Sequence, residues 1–528
     1  MLCVILYKNY YIPLDDKRGY EMKNFKIYFT SDVHGYIYPT DYTDLKEKPL
    51  GFLNVINQFE KDGNTLIIDG GDTIQGSPFT HFISKKKLYP NPLATVMNAG
   101  AYDYIALGNH DFNYGYDYLK SYLEPLHAKA LCTNVIDKCG HLPIFPTAIH
   151  VLENGLRIGL IGFTTDFIPI WEKAEHLECF DVLNTTESIR PYFDKLKTQV
   201  DVMIGIYHGG FECDLTTHKQ LSTSSENVAF ALCKEFTFDI LLTGHQHLPI
   251  ATQTLFGTHI VQTPPNGASF AKISATYDDG KLDAHTTLIP TLLDYNQKLY
   301  DAILPLEKEV QVWLDQPVGF LDSPLLPSDP LTMALHSDRL ANFINQVQRD
   351  ISGADISCCS FANRIKGFEK EVSVRDIVST YPYPNTLVVL EVSGAVLKAA
   401  LENVAGYFAL GEKGVEVAER FLKPKVAHYN YDYFSGIFYT IDITQPEGMR
   451  ITSLRFNNRE VTPTDSFSLV MNNYRHSGVG GYDMYPSCPV IKEIMIEMPE
   501  IIIDYFVKYK HVTVDTTHYL TTHAPTHS

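Results

Sequence analysis

The chain has 528 residues, of which 45% are hydrophobic, 20% charged and 12% aromatic. This is a soluble globular profile, and it excludes disorder, collagen or coiled coil as the main organisation. At roughly 100–200 residues per domain, two or three domains are expected. A net charge of −19 excludes a nucleic-acid duplex as a partner held by phosphate neutralisation, but not a single nucleotide held through a metal.

Residues 1–23 read as an N-terminal extension. Their apolar run is too short for a signal segment, and Met22 is an alternative start. No run approaches the ~18 apolar residues of a membrane span, so no membrane partner is expected. Nine cysteines, an odd number with no CxxC and with Cys358 next to Cys359, predict reduced thiols and a cytoplasmic protein.

From Phe25 short β runs alternate with helical stretches. Strands are predicted at 25–30, 65–68, 104–107, 156–161, 202–206 and 239–242. Helical spacing places Leu50, Leu53, Ile56 and Phe59 on one stripe over 50–61, and further helices fall near 116–126, 187–199 and 226–236. This is an α/β layered domain over 24–291. A linker helix over 292–316 carries Leu299, Ile303, Leu306 and Val310 on one stripe. A second α+β domain is expected over 317–510. The tail 511–528, rich in Thr and His, reads as frayed.

Five predicted strands of the first domain end in side chains able to ligate a metal. In order these are Ser31-Asp32-Val33-His34-Gly35, Asp69-Gly70-Gly71-Asp72, Gly108-Asn109-His110-Asp111, Tyr207-His208-Gly209-Gly210 and Gly244-His245-Gln246-His247. Ligands of open α/β sheets gather beyond the carboxyl ends of the strands. Asp, Asn and His without Cys suit Mn, Zn, Co or Fe rather than a closed structural zinc site. Seven candidate ligands exceed the need of one ion. Two ions sharing a carboxylate would use them all and suit an in-line phosphoryl displacement.

With these motifs the chain resembles the calcineurin-like metallophosphoesterases of the 5′-nucleotidase and 2′,3′-cyclic-nucleotide phosphodiesterase type, from about residue 24 to 510. The resemblance implies a layered metallophosphoesterase sandwich joined to a substrate-specificity domain. It implies that Asp32, His34 and His247 hold one divalent metal ion, that Asn109, His208 and His245 hold a second, and that Asp72 bridges them. His110 would act at the leaving oxygen. Many members carry an acidic partner for that histidine where this chain has Asn113, which leaves Asp111 or Asp103 to orient it.

In the second domain, Ala362-Asn363-Arg364 resembles the stretch whose arginine meets phosphate. Tyr381-Pro382-Tyr383-Pro384-Asn385-Thr386 resembles the motif supplying one base-stacking aromatic and a polar contact. Asn472-Asn473-Tyr474-Arg475 with Gly480-Gly481-Tyr482 resembles the loop giving the opposing aromatic. Tyr383 and Tyr482 would then sandwich a nucleobase, with Asn385 and Arg364 as further contacts. Tyr429-Asn430-Tyr431-Asp432, and the lack of arginine in 327–335, lean towards the cyclic-phosphodiesterase branch with nucleotidase activity. The alternatives are a 5′-nucleotidase and a non-catalytic nucleotide-binding protein. The residues leave base preference and oligomeric state open.

Overall fold

Strand Lys23–Thr30 buries both of its faces, which explains its unbroken apolar run. Ile27 and Phe29 point into a core between two sheets, and Tyr28 points the other way into a core beneath helices. The computed structural model describes residues 22–524 apart from 87, 221–224, 384, 412–413, 424–425 and 495. The expected N-terminal extension and the question of Met22 thus lie almost wholly outside the described residues.

One sheet has seven strands, ordered Lys281–Pro290, Ser269–Asp278, Lys23–Thr30, Thr65–Asp69, Tyr104–Ala106, Lys129–Leu131 and Ile144–Phe145. The other has six, ordered Ile250–Leu255, Thr258–Gln262, Ile240–Thr243, Val202–His208, Arg157–Thr164 and Thr147–Val151. The two sheets pack face to face through Ile27, Leu66, Ile68, Leu160, Ile204 and Leu242. Helices Thr185–Lys197 and Ala229–Glu235 cover the outer face of the second sheet. The central strands of both sheets run parallel, so their carboxyl ends open at one rim.

The predicted helix over 50–61 shrinks to Phe52–Ile56. The stripe of apolar residues is real, but the chain leaves the helix so that Phe59 stacks on Tyr28 at 4.9 Å. The linker helix runs Gln297–Leu314 and begins where the Asn296 side chain accepts from the Leu299 N–H. Ile303, Val310 and Leu314 are buried against the first domain.

The second domain is built on a five-stranded sheet ordered Tyr433–Ser435, Ile356–Cys359, Ser466–Asn472, Leu387–Ser393 and Val490–Ile494. Helix Arg339–Ser352 packs on one face and helix Gly394–Ala405 on the other. Arg375 ties this domain to the linker helix and the first domain. Its guanidinium donates to Tyr42 O at 2.9 Å, Gln311 Oε1 at 2.7 Å and Asp315 Oδ1 at 2.7 Å.

Two expectations are corrected here. The segment after His511 is not frayed: His511–Val512 joins a sheet edge and Leu520–His523 pairs in parallel with Phe438–Asp442. Asn342 Nδ2 donates to Asp515 O and Thr517 O between those strands. Backbone pairing holds this tail, and composition does not register backbone pairing. The thiols are not all reduced either. Cys139 and Cys179 form a disulfide across the short pairing of Val135–Asp137 with Phe180–Val182. That removes the premise on which a reducing compartment was expected. No helix among the described residues is long and apolar enough to cross a membrane.

The tetrad Tyr429 to Asp432 and the loop Asn472 to Arg475 meet in the interior. Arg475 and Asp432 are both almost fully buried and pair at 2.9 Å. Arg475 also donates to Tyr429 O at 2.8 Å and lies 4.3 Å from the Tyr482 ring centroid. Asp432→Ala leaves a buried guanidinium without its charge partner and is expected to destabilise the second domain by about 3–5 kcal/mol. Chemical denaturation followed by tyrosine fluorescence checks this. A loss within experimental error of zero would show the pair to be dispensable.

Candidate active site

Five of the seven candidate ligands occupy the left-handed backbone region: Asp32 at φ 58°, His34 at 52°, Asp72 at 55°, His245 at 68° and His247 at 59°. Such conformations are uncommon for residues with a side chain and persist only where the surroundings over-determine them. The surroundings here are other strand-end loops. Asp32 N donates to Gly71 O and His34 N to Asp72 O. His245 N donates to Asp32 Oδ1 at 2.9 Å, and His110 N to Asp72 Oδ1 at 2.7 Å. A Cβ on Gly108 would stand 2.1 Å from Asp72 Oδ1, so only glycine lets that loop close on the carboxylate.

The expected ligands come together in two groups, Asp32 with His34 and His247, and Asp72 with His208 and His245. Asn109 Oδ1 lies 2.9 Å from His245 Nδ1, which adds it to the second group. His34 Nδ1 faces Gln75 O at 3.1 Å and His208 Nδ1 faces Gly70 O at 2.8 Å. Those carbonyls accept N–H, which leaves Nε2 of each ring aimed inward. His34 Nε2 and His247 Nε2 stand 3.1 Å apart. His208 Nε2 is buried without a hydrogen-bond partner, 3.1 Å from Asp72 Oδ2 and 3.9 Å from Asp32 Oδ1.

This donor set calls for positive charge. Burial works against ionising Asp72 and Asp32, yet the imidazoles around them hold both well below the usual carboxylate range. Burial likewise disfavours a charged His208, but Asp72 and then Asp32 push it up to about 10. Burial pushes His34 down to about 4. Carboxylates that strong, surrounded by convergent imidazole nitrogens, fit divalent ions.

Asp111, expected as a catalytic group, has another task. Its carboxylate accepts the backbone N–H groups of Gly108, Asp72, Thr73 and Ile74, and so shapes the two loops that carry Asp72 and Asn109. Asp103 pairs with Lys61 and accepts Ile67 N. Neither orients His110. Asn113 does so itself, with Oδ1 2.7 Å from His110 Nδ1, and its amide nitrogen donates to Glu172. Sequence reasoning also missed Glu226, whose Oε1 is 2.9 Å from His245 Nε2.

Beyond the metal groups a cleft of about 710 Å³, open mouth included, reaches the second domain. Asn109, His110 and His245 line one side, and Asn385, Thr386, Asn473 and Tyr474 the other. Asn385, expected as a polar contact to the base, thus borders the cleft. Tyr383 is 44% exposed and stands near Tyr429 and Tyr474. Tyr482 is fully buried, stacked on Tyr485 at 5.5 Å beneath Arg475, so it offers no face to a base. Tyr474, from the same loop, is the aromatic that reaches the cleft. Arg364 is exposed and does not line it. In that stretch Asn363 carries the bonding, to Val426 O and His428 N.

The fold and site define a metal-dependent phosphoesterase with an appended second domain. Residues 25–249 match the calcineurin-like phosphoesterase family and residues 318–487 the 5′-nucleotidase C-terminal domain. A candidate 5′-nucleotidase from Staphylococcus aureus, solved in complex with alpha-ketoglutarate, is 32% identical with a TM-score of 0.84, over 95% of this chain and all of its own. The 2′,3′-cyclic-nucleotide 2′-phosphodiesterase/3′-nucleotidase of Yersinia enterocolitica is 27% identical over 84% of this chain and 79% of its own. The trifunctional nucleotide phosphoesterase protein YfkN of Bacillus subtilis is 24% identical over 92% of this chain, which spans only 38% of that longer protein. The chain belongs to this 5′-nucleotidase and cyclic-nucleotide phosphodiesterase family of calcineurin-like phosphoesterases.

Asp72→Asn is expected to weaken metal binding in both groups at once and to cut turnover below about a tenth, if this carboxylate is shared by two ions as the resemblance implies. Metal content after dialysis and phosphate release at saturating metal check this. Loss of a single ion with turnover retained would remove the shared role.

Proposed function

We propose that the chain hydrolyses 2′,3′-cyclic nucleotides at the 2′ ester and also acts on nucleoside monophosphates. The observation that carries this reading is the cleft that joins the metal groups and His110 to Asn385, Thr386, Asn473 and Tyr474 of the second domain. The name of the Yersinia relative, similar over most of both chains, supports the cyclic substrate. So does charge. Lys173 is the only Lys or Arg among the residues lining the cleft, and it is accompanied by Glu172 and Glu497. Such a lining suits the single charge of a cyclic diester better than the double charge of a terminal phosphate. A 5′-nucleotidase is the second reading, favoured by the likeness to the Staphylococcus structure.

Asp32, His34 and His247 would hold one divalent ion and Asn109, His208 and His245 the other, with Asp72 between them. Ions bound there would polarise the phosphoryl oxygens and lower the pKa of water. The chain's own residues do the rest. Gln75 O and Gly70 O keep His34 and His208 turned inward, and Glu226 holds the far nitrogen of His245. His110 presents Nε2 towards the cleft, where it can protonate a leaving oxygen. The second domain holds the base away from the metals, with Tyr383 and Tyr474 as stacking faces.

His110→Ala is expected to keep its metals and lose about 10²–10⁴-fold in kcat on nucleotides. The loss should shrink on p-nitrophenyl phosphate, whose leaving group needs no proton. An equal loss on both substrates would remove the general-acid role. Tyr383→Ala and Tyr474→Ala should each raise KM for nucleotides about 5- to 150-fold, the equivalent of one stacking face, and spare p-nitrophenyl phosphate. Tyr482→Ala should instead destabilise the domain by about 3–5 kcal/mol and affect both substrates alike. A nucleotide-specific KM effect from Tyr482→Ala would overturn its assignment to the core.

A further inference from the structure

His110 is held by a chain of side chains that no sequence pattern connects. Asn113 Oδ1 lies 2.7 Å from His110 Nδ1. Its amide nitrogen donates to Glu172 Oε2. The other carboxylate oxygen accepts Lys173 N at 2.7 Å and lies 2.8 Å from His176 Nδ1. The Glu172 side chain is only 5% exposed although the residue borders the cleft. A carboxylate so buried needs its partners, and three groups supply them.

The direction of these bonds is dictated by chemistry. A carboxylate only accepts, so the Asn113 amide nitrogen must face Glu172 and its oxygen must face His110. An amide oxygen only accepts as well, so Nδ1 of His110 carries a hydrogen throughout, and the proton given to a leaving oxygen is a second one, on Nε2 of the charged ring. Nε2 is thereby turned to the cleft. Had a glutamine stood at 172, the amide of Asn113 would be free to flip, and with it the choice of ring nitrogen.

We propose that Asn113 and Glu172 together are the positioning pair for His110, taking the place of the single carboxylate expected beside that histidine. Glu172 fixes the amide, and the amide fixes the ring and its tautomer. Both border the cleft, and their task is to position that ring. This inference rests on the reading of His110 as the group at the leaving oxygen.

The test compares five variants of the metal-loaded chain: Glu172→Gln, Asn113→Asp, the Asn113→Asp/Glu172→Gln double variant, His110→Ala and His110→Ala/Glu172→Gln. Each is assayed on a 2′,3′-cyclic nucleotide, on a mononucleotide and on p-nitrophenyl phosphate, with metal content and thermal unfolding recorded. Glu172→Gln is expected to lose about 10- to 100-fold in kcat on nucleotides, with KM little changed and p-nitrophenyl phosphate largely spared. Asn113→Asp sets two carboxylates against each other and should be at least as impaired. In the double variant the new amide can donate to the new carboxylate, which restores a single acidic partner for His110, so its kcat should exceed that of both single variants. In the His110→Ala background Glu172→Gln should have no further effect, because its work is done through that ring.

Full nucleotide turnover in Glu172→Gln overturns the proposal. So does a double variant no better than the worse single one, or an undiminished Glu172→Gln effect without His110, which would mark Glu172 as a packing residue. These outcomes stand apart from failure of the underlying reading. That failure would show as His110→Ala itself losing equally on all three substrates.

Discussion

Two buried carboxylates and four imidazoles are forced to face one another where the strand ends of the two sheets of the first domain meet. Everything else around the site answers to that crowding. Burial alone would neutralise Asp32 and Asp72, and their mutual repulsion would drive the loops apart. They stay together because His208 and His247 oppose their charge and because divalent ions suit the space between them. The strain is stored in the backbone, where five of these residues hold left-handed conformations. Asp69, Asp111 and the carbonyls of Gly70 and Gln75 spend their hydrogen bonds on keeping those loops in place.

The second domain solves a different problem. The candidate metal groups lie at the ends of strands, and one side of the cleft beside them comes from elsewhere in the chain. Arg375 and the linker helix hold the second domain against the first, and the loops at 385–386 and 473–474 close one side of the cleft. The buried pair of Arg475 and Asp432 braces those loops from below. Two of the tyrosines in this domain are therefore structural: Tyr482 and Tyr485 stack in the core, whereas Tyr474 lines the cleft.

Much of the site was legible because each ligand sits at the end of a strand whose apolar run announces it. Strand ends of a parallel sheet converge whatever the connecting segments do, so Asp32, Asp72, Asn109, His208 and His245 could be gathered from linear order alone. The same logic failed where burial decides. Tyr482 lies beside glycines in a loop that resembles a base clamp, but it is fully buried beneath a guanidinium. Asp111 lies next to His110 in the chain, yet its carboxylate turns to the backbone of two loops. The tail after His511 has little apolar content and is ordered by backbone pairing.

The amino-acid sequence by itself determined the layered α/β domain, the strand-end candidates for metal ligands and the presence of a second domain. Those follow from hydrophobic period and from residue types at strand ends, which are local properties. Tertiary structure alone decided who serves His110, which tyrosines face the cleft and which cysteines pair. Asn113 meets Glu172 across 59 residues, His245 meets Glu226 across 19, and Cys139 meets Cys179 across 40. Each meeting depends on how loops fold back over the strand ends. A loop's path is set by hydrogen bonds and burial, which leave no period in the chain.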